Sequence, residues 1–105
     1  MRPMPGSTYY AVTETPGPKW DPSRARREQD NWDEHAAFMD GLVEDGFVVL
    51  GGPVGNGDEV LLIVRAESEA EIEAQLAEDP WLPMGVLAIA KIDRWQIWLG
   101  SPART

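Results

Sequence analysis

Apolar positions fall into six groups along the chain, and their spacing shifts from strand-like to helix-like and back. Residues 8–13 are mostly β-branched or aromatic and predict a first strand, closed by Pro16-Gly17-Pro18. A long helix is expected over residues 22–45. Asp21 before Pro22 has the order of an N-cap acid and a first-turn proline, and Trp32, Ala36, Met39, Leu42 and Val43 recur at spacings of three and four. Gly46 suits the left-handed residue that ends such a helix. Residues 47–50 form a short apolar run that reads as a buried strand, stopped by Gly51-Gly52-Pro53 and a Gly55-Asn56-Gly57-Asp58 turn. Residues 59–65 predict its hairpin partner. Ser68 and Glu71 are spaced as a capping box for a short amphipathic helix through Ile72 and Leu76, which Asp79-Pro80 terminates. A last strand lies within residues 86–99.

The order β-α-β-β-α-β is that of the α+β, ferredoxin-like unit: a four-stranded antiparallel sheet with two helices on one face. The other face must then be polar or covered. Trp95, Ile97 and Trp98 are too apolar to be left in water, so a homodimer is expected, since isologous pairing is the commonest cover. Residues 1–7, with two prolines and a glycine, read as a flexible leader, 8–100 as the domain and 101–105 as a tail.

Charge and composition narrow the function. The 105 residues carry 18 acids against 9 bases, a net charge of −9, which argues against nucleic acid or an anionic membrane as partner. No cysteine and one histidine leave no thiolate nucleophile and no His- or Cys-based metal cluster, so no metal or cofactor is expected. No apolar run approaches a membrane span or a signal core, and a soluble cytoplasmic protein is expected.

His35 is the one side chain of a type that titrates near neutrality, and it lies on or beside the inward stripe of the long helix. It is either a core-edge histidine bonded to a carbonyl or a proton-transfer group, and the second reading needs a partner. Asp79 is the candidate. It sits at a helix C-terminus, where the macrodipole disfavours an anion, so it is either a solvent-facing helix stop or the acceptor that orients His35. Gly51, Gly52 and Pro53 would let a ligand approach the backbone, if they are more than a plain loop. Trp81, with Leu82, Pro83 and Met84, makes a pocket wall, a core element or a dimer contact. Arg24, Arg26 and Arg27 are a solvated stretch by default and a carboxylate clamp otherwise. Tyr9 or Tyr10 is the guess for a second acid.

These features together resemble the YCII-related family of dimeric α+β barrel proteins. The likeness rests on the tyrosines of the first strand, His35 followed by Phe38 and Leu42, Gly46, Gly51-Gly52-Pro53, and Asp79-Pro80-Trp81. It implies dimerisation through the open sheet face and a His–Asp centre in a pocket, with His35 and Asp79 as the pair and Tyr9, Gly51, Gly52, Pro53 and Trp81 as substrate-binding residues. The segment over residues 14–31 is longer than the family's minimal form. The expected activity is elimination, isomerisation or a lyase-type step on a small, possibly ring-containing acid. The rivals are a non-catalytic ligand-binding or accessory module, and a cofactor-independent oxygenase of the dimeric barrel type.

Overall fold

The computed structural model describes residues 8–100, so the expected leader and tail lie outside the described residues. Four strands, β1 (Thr8–Pro16), β2 (Val48–Val54), β3 (Glu59–Ala66) and β4 (Leu87–Trp95), form one sheet in the order β2-β3-β1-β4, with every neighbouring pair antiparallel. Helices α1 (Trp32–Glu44) and α2 (Glu69–Leu76) link them, and a single extra turn, α3 (Trp81–Met84), precedes β4. This is the ferredoxin-like α+β architecture.

Period-two burial orients the sheet. Tyr10 and Val12 of β1, and Val60, Leu62 and Val64 of β3, face Leu42 of α1 and Ile72 and Leu76 of α2 in one core. Ile72 and Leu76 are wholly buried, each worth about 1.5–3 kcal/mol of transfer free energy. Ser68 caps α2 by accepting the Glu71 N–H at 3.1 Å.

Four boundaries differ from the sequence reading. The expected helix over 22–45 begins only at Trp32, after Asn31 in the left-handed conformation. The Asp21 carboxylate turns back to accept from the Ser23 N–H and hydroxyl, and the buried Gln29 amide ties Asp21 and Arg24 backbone groups together. Local side-chain bonds of this kind compete with helix, and only a three-residue 3₁₀ turn, Arg26–Glu28, forms there. Gly51-Gly52-Pro53 does not end the second strand but continues it, because β2 is a sheet edge that tolerates a proline. β1 runs on to Pro16, and β4 stops at Trp95, leaving Trp98 84% exposed.

No helix among the described residues is long and apolar enough to cross a membrane.

Candidate functional site

The first turn of α1 and the segment between α2 and α3 meet beside the end of β1. His35, four residues after Asn31, places Nδ1 at 3.0 and 2.9 Å from the two carboxylate oxygens of Asp79, which is fully buried. Asp79 Oδ1 also accepts the Trp81 N–H at 3.0 Å, so the carboxylate that is misplaced behind α2 is well placed ahead of α3. That second contact answers the helix-dipole objection to an acid at this position. With Asp79 as acceptor, Nδ1 donates, and in the neutral ring the proton-free nitrogen is Nε2. Among the described residues Nε2 has no hydrogen-bond partner, and it is not sealed off by them.

Aromatic rings fix the imidazole plane. Trp81 stacks on it with centroids 3.8 Å apart and planes 8° from parallel. Trp81 is itself wholly buried, held by its indole N–H donating to the Asp30 carbonyl at 2.6 Å and flanked by Trp20 and Trp32. Val86 and Leu87 complete this second core cluster.

A cavity of about 280 Å³ opens in front of His35, at the lower end of the range for small-molecule sites. Gly51, Gly52 and Pro53 of β2 line it, as does Trp32. A Cβ on Gly51 would come within 2.7 Å of Leu62 Cδ2, so this edge of the wall depends on a missing side chain, while Gly52 has open space where its Cβ would be. Trp81 does not line the cavity but backs the imidazole that does. Tyr9 is placed apart from it: β1 sends Tyr10, Val12 and Glu14 to the helix side, and Tyr9 to the opposite face.

Two further charged residues line the cavity, Glu14, which the sequence does not single out, and Arg26, which it offers as a carboxylate clamp only against a solvated default. Glu14 is 1% exposed, its Oε2 has no hydrogen-bond partner, and it lines the cavity together with His35. Burial, reinforced by the negative Asp79 and offset in part by Arg26, pushes its carboxyl up to about 7. Its position two residues beyond Val12 was the available signal, since the inward register of the first strand reaches it. Arg26, expected in the opening turns of a helix, instead sits on the 3₁₀ turn, partly buried, with Nη2 donating to the Gly57 carbonyl at 2.8 Å and its guanidinium 5.0 Å from the Trp20 ring centroid. It too lines the cavity. Arg24 and Arg27 do not. Among the described residues no group of three or more His, Cys, Asp or Glu side chains is arranged to hold a metal ion.

Comparison with known proteins finds no match among curated proteins and none among solved structures. The model of the YCII-related domain does match, over residues 8–96, and that span takes in all four strands, the cavity and the His35–Asp79 pair. The chain therefore belongs to the YCII-related family.

Proposed function

We infer that the protein is an enzyme that moves a proton on a small carboxylic acid, in an elimination, isomerisation or lyase-type step, with His35 Nε2 as the group that takes or gives it. The observation that carries the reading is the buried His35–Asp79 contact, 2.9 Å, on a ring whose other nitrogen is open beside a cavity. Asp79 holds the imidazole in the tautomer whose free lone pair points away from the carboxylate, and Trp81 holds its plane. A base positioned in this way contributes about 10²–10⁴-fold to a proton transfer.

Two measurements test it. In ¹⁵N spectra of neutral His35, Nδ1 carries the proton in the wild type, and the Nε2–H tautomer grows in Asp79→Ala. Exchange of the methylene protons of phenylpyruvate into D₂O serves as a ring-containing probe of enolisation. The wild type accelerates it over buffer, and His35→Asn loses about a hundredfold of that acceleration. Equal exchange by wild type and His35→Asn removes His35 from the chemistry and leaves a ligand-binding module as the better reading.

The same reading includes a homodimer. Leu50 is 64% and Trp95 44% exposed, and both border a shallow groove with Leu61 and Ile63 on the sheet face opposite the helices. A second copy laid on that face would cover them, and Trp95→Lys should convert the dimer to monomer in analytical ultracentrifugation.

A further inference from the structure

Glu14 calls for an explanation that packing does not supply. A carboxyl 1% exposed with an unpartnered oxygen is costly wherever a neutral side chain would serve, and here it replaces the next apolar residue in the inward series Tyr10, Val12. It is also not spent on Arg26. No ion pair joins the two side chains, although both line the same cavity, and among the described residues Arg26 makes one side-chain hydrogen bond, to the Gly57 carbonyl, leaving other guanidinium donors for a ligand.

We propose that Glu14 and Arg26 are the acid-recognition end of the cavity: Glu14 in its protonated form donates a hydrogen bond to one oxygen of a small monocarboxylate, and Arg26 supplies the balancing positive charge. The proposal rests on the reading of this cavity as the substrate site, and it names what that site recognises. The charged and titratable groups facing Glu14 are Asp79 between α2 and α3, Arg26 on the 3₁₀ turn, and His35 and Asp40 on α1. Asp79 is committed to His35 and the Trp81 N–H, and Asp40 is exposed at the rim. An anion entering beside Glu14 therefore meets a further repulsive charge unless Glu14 is neutral. Raising the Glu14 carboxyl to about 7 leaves it protonated over the lower half of the neutral range. Carboxylic acid and carboxylate can then share one proton in a short charge-assisted bond. Above that pH, binding takes one proton from solvent, and the site captures a carboxylate together with a proton.

Benzoate is the probe, with benzyl alcohol as its uncharged counterpart, measured by calorimetry from pH 6 to 8.5. The series is run in the wild type and in His35→Asn, so that Glu14 is read without the imidazole beside it. In His35→Asn, benzoate affinity is expected to fall about thirtyfold across that interval, as for one required proton with a midpoint near 7. Calorimetry in two buffers of different ionisation enthalpy should count about one proton taken up per benzoate at pH 8.5. Glu14→Gln, whose amide still donates, is expected to bind benzoate without proton uptake in the His35→Asn background. Arg26→Gln is expected to weaken benzoate about tenfold and leave benzyl alcohol unchanged. The proposal is overturned if wild type does not bind benzoate, if affinity in His35→Asn is flat with pH, or if benzyl alcohol binds as tightly. Loss of phenylpyruvate exchange with benzoate binding intact would instead count against the proton-transfer reading alone.

Discussion

Between the sheet and the two main helices lie Tyr10, Val12, Leu62, Val64, Ile72 and Leu76, a cluster of aliphatic and aromatic side chains. Around Trp81, by contrast, Glu14, His35 and Asp79 are buried within one neighbourhood of tryptophans. The first cluster satisfies every local rule: inward positions repeat at two in the strands and at three or four in the helices, and nothing in it carries a charge that must be desolvated. The second breaks those rules at Glu14 and at Asp79. A chain that needs only to fold gains little from burying two carboxyls and an imidazole, so the difference separates the region that holds the fold from the one on which the proposed function rests.

The sharpest test of that division removes a side chain from the first cluster. Leu76→Ala takes a fully buried leucine from under the sheet and should cost about 3–4 kcal/mol, read as a lowered urea midpoint with an unchanged m-value. Because α2 contributes nothing to the cavity wall, benzoate affinity in the folded fraction should stay within about twofold of wild type. A change in affinity as large as the change in stability would erase the distinction between the two clusters.

Glu14 is where the comparison can be turned round, because there the site is expected to work against stability. The folded-state carboxyl lies near 7, above its ordinary value of 4.5, so its contribution to stability is fully present below about pH 4.5 and is lost as pH rises through 7. At pH 8.5 the wild type then carries a burden of about 3 kcal/mol from this one group. Glu14→Gln has no proton to lose. Its stability relative to wild type, followed by chemical denaturation from pH 5 to 8.5, should rise by about 2–3 kcal/mol. A difference that stays flat with pH would mean that the buried carboxyl is not held neutral.

The two clusters also differed in how far the sequence revealed them. Strand and helix periodicity placed the four strands and the second helix, because those residues bury a regular stripe and nothing competes with it. The first helix begins ten residues later than its sequence pattern predicts. Asp21 and Pro22 look like a helix start, yet the Asp21 carboxylate prefers Ser23 and the Gln29 side chain closes the loop from a distance that no local pattern records. A helix there leaves Arg24, Arg26 and Arg27 equivalent, and only the loop singles out Arg26 by bringing it to the cavity. His35 and Asp79 could be suspected from residue type and helix electrostatics, but their contact spans 44 positions and depends on the fold. Tyr9 or Tyr10 is the sequence's guess for a second acid, yet Tyr9 lies on the opposite face of the strand and Tyr10 is packed in the core, while Glu14, on the face of Val12, lines the cavity. Period two carries the information, but a glutamate beside a proline-glycine turn also reads as the end of a strand.

The smallest effect is expected where the two clusters resemble each other, at Trp81, which is packed as tightly as any aliphatic core residue and yet stacks on the His35 imidazole. Trp81→Phe keeps an aromatic face under His35 and the backbone N–H that Asp79 accepts, but removes the indole N–H that holds the Asp30 carbonyl. The loss of that bond and of part of the ring should cost about 1–2 kcal/mol. If stacking alone sets the imidazole plane, the tautomer of His35 and the exchange of phenylpyruvate should change by less than about threefold. If the tie from Trp81 to Asp30 is what keeps the ring in register, the phenylalanine will tilt and the Nε2–H tautomer will grow as it does in Asp79→Ala. Comparing the ¹⁵N spectra of the two variants therefore decides whether Trp81 acts through its face or through its N–H. It also decides whether the tryptophan belongs with the packing that holds the fold or with the groups that position the base.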